Sequence, residues 1–171
     1  LVGSEMCIRD RSVAIVMGSD SDLDIVSKAF GVLDDFGVSY TKNVFSAHRT
    51  PDKVLELIKS SEENGVEVFI AAAGMAAHLA GVVAAHTTKP VIGIPIPSGS
   101  LSGFDSLLST VQMPPGIPVA TVAVGSSGAK NAAILAVQIL ATNDDALASK
   151  LHEFKSKMRE EVISKDKKLN N

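Results

Sequence analysis

Five predominantly apolar runs of strand length, alternating with segments of helical periodicity, constrain this chain more than any other feature. They are Val13–Met17, Val38–Phe45, Val66–Ala72, Pro90–Pro95 and Pro118–Val124. Such alternation is the signature of successive βα units feeding a parallel sheet. Runs that are apolar throughout, rather than at every second position, predict a sheet covered on both faces. Between the first two runs, Val26, Ala29, Phe30, Leu33 and Phe36 fall on one helical stripe that stops at Gly37. A second helix is expected from Pro51, a favoured first-turn proline, to Gly65. Ala76 to Thr87 reads as a short helix of small residues that must pack closely, and Gly128 to Ala141 as an Ala-rich buried one. The Pro-, Ser- and Gly-rich stretch Pro97 to Gly103 is expected to be a mobile loop.

At 171 residues the chain is long enough to bury most of its apolar surface in one core. That core is placed at residues 13–142. The remainder, 143–171, carries Leu147, Leu151, Phe154, Met158 and Val162 along one stripe of an amphipathic helix, with Lys, Glu and Arg elsewhere. Its apolar stripe packs either on its own domain or on a neighbouring subunit. No run reaches the roughly 18 to 20 apolar residues of a membrane span, so no membrane partner is expected. A net charge of -3, a single Tyr and no Trp argue against a nucleic-acid polymer, which calls for a basic stripe and stacking platforms. Any phosphate is therefore bound locally. One cysteine, Cys7, gives neither a disulfide framework nor a thiolate metal cluster, and is read as an incidental thiol in a reducing compartment.

Three segments at strand ends carry the candidate chemistry, because ligands of open parallel sheets sit beyond the carboxyl ends of the strands. In Gly18-Ser19-Asp20-Ser21-Asp22, hydroxyls and free amides at a helix start suit a phosphate. A carboxylate repels phosphate, so Asp22 is assigned to sugar hydroxyls and Ser19 and Ser21 to the phosphate side. Read alone, the segment is more simply a capping turn. Neither a GxGxxG fingerprint nor a Gly-Lys-Ser/Thr P-loop is present to support a dinucleotide or ATP. Ser46-Ala47-His48-Arg49-Thr50-Pro51 places an imidazole that titrates near neutrality beside a guanidinium able to clamp phosphate bidentately. Solvated side chains on a capping turn are the plainer alternative. Gly74-Met75-Ala76-Ala77-His78-Leu79-Ala80-Gly81 offers small residues against which a planar ring can lie. Within it, His78 is expected to be a buried, hydrogen-bonded helix residue rather than a proton donor, and His86 and His152 to lie on solvated or packed helix faces. The four histidines lack metal-ligand spacing such as HExxH, so no metal is expected.

In this order and spacing the three segments resemble the class I N5-carboxyaminoimidazole ribonucleotide mutases of purine synthesis, also called the catalytic subunit of phosphoribosylaminoimidazole carboxylase. The resemblance runs from about Val13 to Ala141 and takes in Asp105-Ser106-Leu107-Leu108-Ser109, Val111-Gln112-Met113-Pro114 and Gly128-Ala129-Lys130-Asn131-Ala132. Family members usually show Gly-Gly-Ala-Ala-His-Leu-Pro-Gly in the third segment, so Met75 and Ala80 depart from the pattern and bear on loop geometry. The family's chains begin close to the first strand, and residues 1–12 are accordingly expected to be an adventitious leader.

The resemblance implies a three-layer α/β/α, flavodoxin-like subunit with a five-stranded parallel sheet and an additional C-terminal helix. It further implies a cytoplasmic homo-octamer whose sites form where subunits meet, with no cofactor. The implied reaction moves a carboxylate within N5-carboxyaminoimidazole ribonucleotide to give 4-carboxy-5-aminoimidazole ribonucleotide, its labile substrate being supplied by an ATP-dependent synthase. His48 would be the proton carrier, and Ser19, Ser21, Asp22, Ser46, Ala47, Arg49, Gly74, Met75, Ala76 and His78 the substrate-binding residues. Two other readings stand beside it: a carboxylase using carbon dioxide directly, and a non-catalytic flavodoxin-like nucleotide-binding module.

Overall fold

Val13, Ile15 and Met17 point to one side of the first strand and Ala14 and Val16 to the other, and every one of them is buried. A strand buried on both faces requires helices above and below it, and the computed structural model, which describes residues 12–170, supplies them. Strands β1 (Val13–Met17), β2 (Tyr40–Val44), β3 (Val68–Gly74), β4 (Val91–Ile96) and β5 (Ala120–Thr121) form one all-parallel sheet in the order β2-β1-β3-β4-β5. Helices α1 (Leu23–Phe36) and α5 (Ser126–Leu140) pack on the Val13, Ile15 and Met17 face. On the opposite face lie α2 (Pro51–Glu63) and α3 (Leu79–Ala85). The result is the expected three-layer α/β/α subunit with flavodoxin-like strand order, whose switch point falls between β1 and β3.

Several boundaries follow from local chemistry. Gly37 ends α1 in the left-handed conformation at φ 71°, which a Cβ disfavours. Pro51 starts α2 where its missing N–H costs nothing. Met75 stands at φ 55°, outside the α-helical range, and the turn it opens runs on through Ala77, so α3 begins at Leu79 rather than at the expected Ala76. The expectation of uniformly apolar strands also fails at β2. As an edge strand it is only half covered: Tyr40 stacks on Phe30 and Lys42 lies over the same ring, 5.2 Å from its centroid. The fifth run contracts to Ala120–Thr121, paired with Ile92 and Gly93.

One helix was not expected. In α4 (Phe104–Val111) the hydroxyl residues face inward: Ser106 donates to the Ile96 carbonyl at 2.9 Å, and Thr110 donates to the Ser106 carbonyl at 2.7 Å. Its Phe104, Leu108 and Val111 face outward and are exposed. The C-terminal helix α6 (Asp145–Leu169) starts under an Asp144 cap that accepts from the Ala146 and Leu147 amides. Its first half packs on the domain through Leu147, Leu151 and Phe154, the last edge-on to Phe36. Lys150 Nζ donates to the Phe36 carbonyl at the end of α1, at 2.8 Å. Beyond that point Met158 and Val162 are exposed. Among the described residues no helix is long and apolar enough to cross a membrane. The leader expected at residues 1–12, with Cys7, lies outside the described residues except for Ser12.

Candidate functional site

The carboxyl ends of β1, β2 and β3 are adjacent in the sheet, so the turns that follow them share one wall of the molecule. Those turns enclose a cavity of about 500 Å³, within the range of small-molecule sites. Gly18, Ser19, Ser21 and Asp22 line it from the β1 turn, Ser46, Ala47, His48 and Arg49 from the β2 turn, and Gly74, Met75, Ala76 and His78 from the β3 turn. Every residue singled out in the sequence as a binding or proton-carrying candidate is therefore brought to one cavity. Ala73, Leu79 and Ser98 also line it and were not singled out.

The β1 turn is a short hydroxyl-rich coil. The Ser19 side chain accepts from the Ser21 amide at 3.3 Å and from the Ser21 hydroxyl at 2.9 Å, capping a single 3₁₀ turn over Asp20–Asp22. Asp22 follows and is 6% exposed. Burial pushes its carboxyl above the usual carboxylate range, opposed by hydrogen bonds from the Ser21 hydroxyl and the Ser19 backbone, with the Asp20 charge adding to the upward shift.

The β2 turn is fixed by its own side chains. Ser46 Oγ accepts from the His48 amide at 3.3 Å and the Arg49 amide at 3.2 Å, while Thr50 Oγ1 accepts from the Ser46 amide and donates to the Ser46 carbonyl. The hydroxyl oxygen of Ser46 thus fixes the backbone that carries both functional side chains and keeps its own proton free to donate. Arg49 reaches across to the first turn, where Nη2 donates to the Gly18 carbonyl at 3.4 Å. That bond uses one of the five guanidinium donors.

The third turn shows why glycine ends β3. A Cβ on Gly74 would lie 2.1 Å from Ser98 Oγ and 3.3 Å from the Ile96 carbonyl oxygen, so the Pro97–Gly103 loop packs directly on this backbone. Met75 follows with a positive φ and a largely exposed side chain.

His78 differs from the expectation of a buried helix residue. It is exposed and stands at the N-cap of α3, with its amide on the Ala76 carbonyl at 2.8 Å. Its Nδ1 lies 2.8 Å from His48 Nε2, and the two rings meet edge to face with centroids 4.9 Å apart. The physical reason is the Met75 turn, which delays the helix by three residues and leaves the imidazole over the cavity. His86 and His152 are exposed on α3's C-cap and on α6, as expected. Among the described residues no three His, Cys, Asp or Glu side chains group to hold a metal ion.

The cavity therefore combines one guanidinium, one buried carboxylate, two imidazoles in contact, four serine hydroxyls and an apolar wall. Such a set can hold an anionic, hydroxylated, planar ligand and move a proton on it. The family model described as AIR carboxylase matches residues 12–161. The N5-carboxyaminoimidazole ribonucleotide mutase of Thermotoga maritima is 51% identical over 157 residues, covering 92% of this chain and 91% of that protein. Its namesake from Methanocaldococcus jannaschii is 54% identical over 157 residues, covering 92% and 96%. The crystal structure of Treponema denticola PurE superposes with a TM-score of 0.85 at 32% identity, covering 93% of this chain and 98% of that one. With the site's three segments inside the matched region, this chain belongs to the AIR carboxylase family.

Proposed function

We propose that this protein is an N5-carboxyaminoimidazole ribonucleotide mutase acting in purine synthesis. The observation that carries the reading is the convergence of three strand-end turns on one cavity holding His48, Arg49 and Asp22. Relatives that bear this name at 51% and 54% identity support it. Arg49 holds the phosphate through its free donors, assisted by the Ser19 and Ser21 hydroxyls. Asp22 accepts from the ribose hydroxyls. The imidazole ring lies along Gly74, Met75 and Ala76, with Ala47 and Ser46 on the opposite side. The carbon–nitrogen bond to the carboxylate breaks, its electron pair stays on the exocyclic nitrogen, and His48 supplies that nitrogen with a proton. Carbon 4 of the electron-rich ring then attacks the released carbon dioxide, and His48 takes back the proton that carbon 4 loses. No oxidant, reductant, cofactor or metal enters this balance.

The same reading places the enzyme in the cytoplasm as a homo-octamer, receiving its labile substrate from an ATP-dependent synthase. Exposed apolar residues on two helices support self-association: Phe104, Leu108 and Val111 on α4, and Met158 and Val162 on α6. The decisive assay supplies the purified protein with N5-carboxyaminoimidazole ribonucleotide, without ATP or metal, and follows formation of the 4-carboxy product. Conversion is expected. Carboxylation of the decarboxylated ribonucleotide from bicarbonate, with no conversion of the N5-carboxylated one, would overturn the mutase reading.

A further inference from the structure

The contact between His48 and His78 asks more of the third turn than a wall for the ligand. At 2.8 Å the line between His48 Nε2 and His78 Nδ1 holds one proton, because two facing N–H groups cannot share it and two bare nitrogens would not attract. Where that proton resides decides the state of His48. With the proton on His48 Nε2, neutral His48 has a bare Nδ1 and is ready to accept. Protonated at Nδ1 as well, as the imidazolium, it is ready to give; with the shared proton on His78 Nδ1 instead, neutral His48 holds its only proton on Nδ1, and giving it would leave an imidazolate. While the bond holds, Nδ1 is the one nitrogen of His48 left to exchange a proton with a ligand.

The backbone beneath both rings is held for this contact. The Ser46 hydroxyl anchors the His48 and Arg49 amides, and His78 is fixed by its N-cap position and by its amide bond to the Ala76 carbonyl. Neither ring has another hydrogen-bonded side-chain partner among the described residues that would set its tautomer instead.

We propose that His78 is a positioning residue for His48: through Nδ1 it fixes the ring's orientation and selects the tautomer with which His48 meets the substrate. The proposal rests on the mutase reading for the identity of the reaction, but the pairing can be tested apart from it. His78 would then matter to turnover more than to binding, by a logic general to imidazoles whose second nitrogen is held by an outer partner.

Substitution separates a hydrogen-bonding role from a ligand-binding one. The amide of asparagine falls where Nδ1 of histidine does, whereas that of glutamine falls near Nε2. His78→Ala is therefore expected to lower kcat by about ten- to a hundred-fold, the scale seen for such outer partners, with KM changed less than about threefold. His78→Asn should recover most of that loss and His78→Gln should not. A rise in KM at nearly constant kcat would overturn the proposal in favour of direct substrate binding. Equal loss in the Asn and Ala variants would overturn it as well.

A second measurement needs no turnover. Long-range proton–nitrogen NMR of protein labelled in its histidines reads the protonation of each ring nitrogen. His48 is expected to show a single ordered tautomer in the unsubstituted protein and the mixed pattern of a free imidazole in His78→Ala. A mixed pattern in both would sink the pairing, even for a variant too damaged to assay. If the unsubstituted protein shows the ordered pair yet fails to convert the N5-carboxylated ribonucleotide, the mutase reading fails while the pairing stands.

Discussion

Gly128→Ala tests the joint between the sheet and α5, on which one layer of the fold depends. A Cβ at this position would lie 1.6 Å from the Ala123 carbonyl oxygen and 2.6 Å from its carbon. An ordinary carbon–oxygen contact is about 3.3 Å, so the approach is short by about 1.7 Å. Neither partner can rotate away, one being a Cβ and the other backbone. Relief requires the first turn of α5 to lift or the Ala123 peptide to turn. Either movement strains the Gly125 amide bond to the Pro95 carbonyl, 2.9 Å long, and the Ala129 amide bond to the Gly125 carbonyl, 3.0 Å long. Overpacking costs about 1–3 kcal/mol and an orphaned buried amide about 1–3 kcal/mol, so the expected loss is about 2–6 kcal/mol. For a chain of this length each kcal/mol moves the midpoint by about 2–4 °C, giving a fall of about 4–24 °C. Thermal melts at fixed protein concentration, followed by far-ultraviolet circular dichroism, measure it; the fixed concentration removes any shift from self-association. Gly31→Ala is the matched control, because Gly31 is exposed within α1 and a Cβ there meets nothing within 4 Å. It should raise stability by about 0.5–1 kcal/mol. A Gly128→Ala protein melting within a degree or so of the parent would refute the close approach of α5 to Ala123.

His48→Asn should lower turnover by about 10²- to 10⁴-fold while a nucleotide still binds, measured by steady-state kinetics beside calorimetric titration. Arg49→Ala should weaken a phosphorylated ligand by about 1.5–3 kcal/mol and leave its dephosphorylated form nearly unchanged; equal losses would give Arg49 another role. Asp22→Asn should raise the melting temperature at pH 7 and weaken ribonucleotide binding. Burial raises the Asp22 carboxyl pKa in the fold, so this group's contribution to stability is fully present below its ordinary value of 3.8 and is lost as pH rises from there through the raised folded value. The gain of the Asn variant should therefore vanish in acid, and a gain that persists there would assign it to packing instead. Finally, Met158→Glu with Val162→Glu should lower the assembled mass in light scattering while the subunit's melting curve stays cooperative, since these two residues lie beyond the part of α6 that packs on the domain.

What was legible in the sequence was whatever one short segment decides for itself. The apolar runs of β1, β3 and β4 are buried on both faces, and Gly37 and Pro51 mark helix ends by backbone chemistry alone. α4 was missed because its amphipathic logic is inverted. Phe104, Leu108 and Val111 face out, and its buried contacts are made by Ser106 and Thr110, whose hydroxyls bond to nearby carbonyls. The close fit is legible instead from the other side: a Cβ on Gly93 would come 2.4 Å from Thr110 Cγ2, so α4 sits directly on β4 only because that strand has a glycine there. The three motifs were recognisable one by one, while Ser98 was not, because its place in the cavity depends on the loop after β4 folding back onto Gly74.

The meeting of His48 and His78 is a consequence of strand order rather than of either motif. Met17 at the end of β1 pairs with Val44 of β2 on one side and with Ala72 of β3 on the other. The turns after β2 and β3 therefore rise on either side of β1, two strand spacings or about 9.6 Å apart. That is too far for backbones to touch and near enough for two imidazoles, each reaching inward, to close the gap to 2.8 Å. The switch point thus does more than open a crevice: by inserting β1 between the strands that carry the two histidines, it sets the separation at which one proton can be shared across the site.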